Sequence, residues 1–90
     1  MKISFDPVKR DWTLRVRGFA FDDAPFVFAG PVYDHEDLRF DYGERRFVTY
    51  GYLKDRMVVV VWTPRGDGRH VISMRKANAR EIKAYAPRIR

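Results

Sequence analysis

Residues 46–75 read RFVTYGYLKDRMVVVVWTPRGDGRHVISMR, and the period of this stretch decides the fold. From Arg46 to Leu53, Phe47, Thr49 and Gly51 alternate with Arg46, Val48, Tyr50 and Tyr52, the period of two that puts successive side chains on opposite faces of a strand. Lys54-Asp55 is a tight connection into Arg56–Thr63, whose unbroken Val58–Val61 run predicts a central strand covered on both faces. Pro64-Arg65-Gly66-Asp67-Gly68 carries strong turn chemistry. A further strand from Arg69 to Arg75 then sets Arg69, Val71, Ser73 and Arg75 on one face and Ile72 and Met74 on the reverse.

Outward from this centre, Val32 to Phe40 reads as an acidic strand or loop-strand that ends at the turn Asp41-Tyr42-Gly43. Lys2-Ile3-Ser4-Phe5 is a short strand. Asp6-Pro7 follows it as an N-cap with proline at the first helical position. A helix from Pro7 to about Val16 aligns Val8, Trp12 and Val16 on one stripe, and Gly18 ends it. Phe21-Asp22-Asp23-Ala24-Pro25 opens a second, short helix that shows Ala24, Val27 and Phe28 inward and stops at Gly30-Pro31. Asn78-Ala79-Arg80-Glu81 has capping-box character and starts a last helix, with Ile82 and Tyr85 on its buried side and Pro87 at its end. The order β-α-α-β-β-β-β-α predicts an α+β protein, one domain over residues 1–90. Its antiparallel sheet has four to five strands, with two N-terminal helices and one C-terminal helix.

Composition narrows the function. The chain is 90 residues long, 46% hydrophobic and 16% aromatic, too rich in core-forming residues for a disordered protein. With no cysteine there is no disulfide scaffold, thiolate metal site or cysteine nucleophile. No apolar run approaches the roughly 20 residues of a membrane span and no secretory leader is evident, so a cytoplasmic protein is expected. The net charge of +6 is unevenly placed: residues 1–64 balance, and the whole excess falls in residues 65–90. Asp22 to Glu44, in contrast, is acidic. Such a one-sided field attracts polyanions or an acidic protein surface.

Conventional site chemistry is missing. His35 and His70 lie in segments of opposite charge, without metal-ligand spacing. Asp34, Glu36 and Asp37 read as a solvated acidic edge, and no glycine pattern matches a phosphate loop. No cofactor is expected. The best chemical signal is the row of Arg69, Val71, Ser73 and Arg75, whose two arginines would stand about 20 Å apart at roughly 3.3 Å per residue. That spacing suits an extended polyanion, with Ser73 between as a hydrogen-bond partner. The competing reading pairs these arginines with Glu44 or the acids of residues 34–37 across the sheet. Tyr50 and Tyr52 are candidates for stacking on bases or packing under a helix, whereas Trp62 reads as core.

Five pieces, in order along nearly the whole chain, resemble the BrnT family of bacterial type II toxins. They are Phe5-Asp6-Pro7-Val8-Lys9; Arg17-Gly18-Phe19-Ala20-Phe21 with Ala24, Val27 and Phe28; Asp41-Tyr42-Gly43-Glu44-Arg45-Arg46-Phe47 with Gly51; Val59-Val60-Val61-Trp62-Thr63; and Val71-Ile72-Ser73-Met74-Arg75-Lys76-Ala77-Asn78 with Glu81 and Tyr85. The last is similar to the family's Ile-Ser-x-Arg-Lys-Ala hallmark. The chain departs where many members carry Asn and His in K-x-x-x-N-x-x-K-H-G, since it has Thr13 and Arg17 there. Pro25 is a second departure.

The resemblance implies a RelE-like fold and a small ribonuclease that blocks translation by metal-independent attack of a 2′-OH on the adjacent phosphorus. Arg46, Arg69 and Arg75 are then the candidates to stabilise the phosphorane, with Glu44 or His70 as general base. Lys76, Ser73 and Tyr85 are candidates for holding RNA. Parity sets His70 opposite Arg69, against its joining the same site. The implied partners are RNA and a BrnA-like ribbon-helix-helix antitoxin encoded alongside, covering the Arg69–Arg75 row. DNA is met only through the antitoxin, and no membrane is involved. The alternative is a non-catalytic nucleic-acid-binding or protein-interaction module on the same fold.

Overall fold

The valine run at Val58–Val61 lies at the middle of the sheet because only a strand with neighbours on both edges and cover on both faces can bury four successive apolar side chains. In the computed structural model, which describes residues 2–90, three of these valines are fully buried and Val61 is half-buried. The strands are β1 (Ile3–Phe5), β2 (Tyr33–Glu36), β3 (Phe47–Leu53), β4 (Arg56–Arg65) and β5 (Gly68–Lys76). They form one sheet in the order β1-β5-β4-β3-β2. The helices are α1 (Pro7–Arg17), α2 (Ala24–Ala29), which is preceded by a 3-10 turn at Phe21–Asp23, and α3 (Ala79–Tyr85), which runs on into a 3-10 turn at Ala86–Arg88.

The chain is α+β as expected, with three amendments. The sheet is mixed, because β1 runs parallel to β5 while the other pairs are antiparallel. The helices are interspersed: α1 and α2 follow β1 and precede β2, so they do not form an N-terminal block. The acidic strand is short and stops at Glu36, because Asp37 turns its carboxylate onto Arg39 and Tyr42 and nucleates the loop that follows.

Local chemistry accounts for the ends of the elements. Asp6 accepts from the Val8 N–H ahead of Pro7, and Gly18 closes α1 in the left-handed region at φ 81°. Lys54 and Asp55 both take positive φ, the two-residue turn whose twist matches a hairpin between β3 and β4. The capping box forms at Asn78 and Glu81, with both reciprocal hydrogen bonds made.

Two cores result, one on each face. On the first face Phe21, Ala24 and Val27 pack over Val58, Val60, Trp62, Val71 and Met74, joined by Phe28 and Phe47. Trp62 donates its indole N–H to Thr49, whose hydroxyl donates to Asp34. The second core is smaller: Val48, Tyr50, Met57, Val59 and Ala77 lie under Tyr85, Ala86 and Ile89. Gly51 lets α2 approach β3, since a Cβ there would stand 2.7 Å from the Val27 Cγ1.

Helix α1 belongs to neither core. Val8, Trp12 and Val16, the stripe read from the sequence, are 76%, 44% and 58% exposed, and Thr13 is the buried residue of the helix. The first face is already filled by α2 and Phe21, so α1 is displaced to the edge of β5. Beyond Val71 that edge has no strand beside it, and Arg17 donates to the Met74 carbonyl there. Ile82 is likewise exposed at 44%, while Tyr85 carries the packing of α3.

Candidate active site

A β-bulge organises the basic strand. Val61 pairs with Ser73 and Trp62 with Val71, so Ile72 is an extra residue without an opposite number on β4. The alternation of side chains therefore changes phase inside β5. Arg69 and Val71 share the face of Trp62, whereas Ser73 and Arg75 share the opposite face with Val61 and Val59. The expected single row of Arg69, Val71, Ser73 and Arg75 does not exist. The same phase change brings His70, paired with Thr63, onto the face of Ser73 and Arg75.

The face beneath α3 is consequently the chemically loaded one. Alternation along β3 carries Arg46 to the same side as Val48 and Tyr50. Arg46 is paired with Glu44 at 3.1 Å, and its guanidinium lies 4.0 Å over the Tyr42 ring. Glu44 is close enough to His70 for its charge to act on the imidazole. Burial, reinforced by Arg65, nevertheless holds the His70 pKa below its ordinary value, so the ring is neutral at pH 7. Its Nδ1 lies 3.1 Å from an Arg65 nitrogen and 2.9 Å from Ser4 Oγ. Because a guanidinium only donates, Nδ1 is an acceptor and the proton of the neutral ring sits on Nε2.

Farther along this face a cleft of roughly 530 Å³ opens between α3, the sheet and the start of the loop after β2. Arg75, Glu81, Tyr50, Tyr85 and His35 line it. Glu81 grips Arg75 through two bonds of 2.7 and 2.8 Å, and the guanidinium holds the Glu81 carboxyl below the usual carboxylate range. Tyr50 and Tyr85 stack with centroids 4.1 Å apart, and Tyr33 and His35 pack against both. Burial, with the hydrogen bond to Tyr85, pushes the Tyr50 phenol well up, so it stays protonated as a donor. Across the cleft, Arg39 holds the Asp37 carboxyl far below its ordinary range.

Of the residues singled out in the sequence, Arg46, Glu44, His70, Ser73, Arg75 and Tyr85 are on one face. Arg69 is not with them: it lies on the other side of the sheet, 4.3 Å over Phe28 and 4.5 Å over Trp62. Lys76 also departs, since alternation from Arg75 pairs it with Val58 on the first face. The acids expected to meet Arg69 and Arg75 pair with other arginines, Glu44 with Arg46 and Glu36 with Arg45. Arg75, however, chooses Glu81 on α3. His35 and Glu81 were missed as cleft residues. Glu81 was legible only as a cap, and His35 reaches the cleft by the pairing of β2 with β3.

No three His, Asp or Glu side chains among the described residues gather to hold a metal ion. No helix among them is long and apolar enough to cross a membrane. Residues 5–81 match the family model described as ribonuclease toxin, BrnT, of type II toxin-antitoxin system. The chain belongs to the BrnT family. No curated protein matches it at a significant level. Membership makes it a type II toxin of ribonuclease type, with an antitoxin as partner and RNA as target. Thr13 and Arg17, two of the departures noted in the sequence, line a groove beside α1 and stand outside the cleft under α3.

Proposed function

We propose that this BrnT chain is a metal-independent endoribonuclease of RelE-like architecture that cuts RNA on the face beneath α3, and that a BrnA-like ribbon-helix-helix antitoxin neutralises it. DNA is met only through that antitoxin. The observation that carries the reading is the bulge at Ile72, which puts Arg75, a residue of the cleft wall, on the same face of the sheet as His70 and Arg46. Arg75 and Arg46 supply fixed positive charge for the phosphorane, the largest single contribution such a site makes. Glu44 is the general base, because the Nδ1 of His70 is already occupied; the Nε2–H of His70 is left to donate to a phosphate oxygen. Tyr85 holds the RNA by presenting its ring at the cleft wall. Charge from side chains makes a metal unnecessary.

Attack by the 2′-OH leaves a 2′,3′-cyclic phosphate on the upstream fragment. Purified protein should therefore yield that product from single-stranded RNA in EDTA as fast as without it. Activity lost in EDTA and restored by Mg²⁺ or Mn²⁺ would refute the metal-free mechanism. A 5′-phosphate product would refute attack by the 2′-OH.

A further inference from the structure

The groove between α1 and the open edge of β5 is a second surface, remote in chemistry from the cleft. Val8, Trp12, Phe21 and Ile72 give it an apolar floor of roughly 390 Å³, and Lys9, Thr13, Arg17 and Ser73 form its rim. Its apolar ridge is continuous with Val16, so α1 shows water a stripe at i, i+4 and i+8 that no element of the chain covers. An amphipathic helix with its apolar stripe outward lacks the packing that stabilises such helices in isolation. A stripe of this kind, rimmed by charge, marks a protein-interaction surface.

Two observations select the occupant. The ridge is basic: Arg10 is taken by Asp11 and Asp22, whereas Lys9 and Arg15 have no ion pair among the described residues. Arg15 stands three residues from Trp12, on the side of the stripe. The strand edge is closed to a β-strand, because Arg17 occupies the Met74 carbonyl and lies 5.2 Å from the Trp12 ring centre. What remains is a seat for a helix, laid along α1, with apolar residues on one side and acids flanking them.

We infer that the antitoxin anchors on this groove through an acidic amphipathic helix, and that anchoring is separate from the RNA-cutting face. The inference rests on the toxin–antitoxin reading and adds where the partner binds. It replaces the idea of an antitoxin spread over Arg69 and Arg75, which lie on opposite faces of the sheet.

The test uses the full chain and its purified antitoxin. Val8→Glu and Trp12→Glu put like charge where acids should dock, at exposed positions that leave both cores intact. Each should weaken the complex about 30-fold or more by titration calorimetry, the loss typical of a central interface residue. Melting temperature and RNA cleavage by the free toxin should stay near wild type, and Arg75→Ala should leave antitoxin affinity unchanged. Undiminished affinity in both glutamate variants overturns the inference. So does a loss of toxin self-association by sedimentation with antitoxin affinity intact, which would make the groove a seat for a second copy. If the wild-type chain binds no antitoxin at all, the toxin–antitoxin reading itself fails.

Discussion

Glu81 does two things at once, and two substitutions separate them. Its carboxylate closes the capping box on the Asn78 N–H and grips Arg75 through two short bonds. Glu81→Gln keeps a side chain able to complete the box and removes the charge; Glu81→Ala removes both. Charge-assisted bonds are worth about 1.5–3 kcal/mol when well shielded, and exposed ion pairs about 0–1 kcal/mol. The Arg75 side chain is 40% exposed and that of Glu81 16%, so the pair falls between, at about 1 kcal/mol. The cap adds about 1 kcal/mol. For a domain of this size each kcal/mol moves the midpoint by about 4–8 °C, giving a fall of roughly 5 °C for Gln and roughly 10 °C for Ala. Arg75 lowers the Glu81 pKa, so the ionic part is present above the unfolded carboxyl value near about 4.3 and is lost as pH falls through the folded value. The gap between wild type and Glu81→Gln should therefore close below about pH 4 in melts followed by circular dichroism. In cleavage assays Glu81→Gln should lower the KM for RNA, because Arg75 no longer has to leave a carboxylate to meet a phosphate. A melting gap that persists unchanged at pH 3 would refute the ionic account. Cleavage abolished in a folded Glu81→Gln would make Glu81, and not Glu44, the base.

Arg75→Ala should reduce kcat/KM about 100-fold or more, the cost of removing one preorganised charge, while Arg69→Ala should lower the melting midpoint and leave cleavage of single-stranded RNA within a few-fold; the reverse ranking would return Arg69 to the site. RNA binding measured against salt should have a slope near about −1.4, two phosphates at roughly −0.7 each for Arg46 and Arg75, and a flat response would remove backbone contacts from the argument. Gly51→Ala should destabilise by about 1–3 kcal/mol in urea melts, because its Cβ would press on the Val27 Cγ1 at 2.7 Å; an unchanged midpoint would mean that α2 moves away freely.

Much of this arrangement was legible in the sequence because its signals are local. The valine run, the Lys54-Asp55 turn, the Asn78 cap and the left-handed Gly18 each act within a few residues. The bulge was not legible. His70-Val71-Ile72-Ser73 alternates as smoothly as any strand, and only pairing with β4 leaves Ile72 unmatched. Everything that depended on parity past that residue was displaced with it, including the row of arginines and the exclusion of His70. The stripe on α1 was legible as apolar but its cover was not, because periodicity shows that a face wants cover without showing what supplies it. Phe21, Ala24 and Val27 had already filled the sheet.

Strand β1 takes its place by pairing Ile3 with Arg69 and Phe5 with Val71, residues far apart along the chain. The sheet edge cannot close until β5, which carries Ser73 and Arg75, exists, and Glu81 and Tyr85 of α3 emerge later still. On the proposed site, the face beneath α3 therefore assembles only after β5 and α3 are made, whereas α1, with Val8 and Trp12, precedes them in the chain. Contacts this far apart in sequence also close slowly. If the antitoxin docks on α1 as inferred, a chain being made would offer that helix before its cutting face exists, and an antitoxin already present would have that interval in which to capture it.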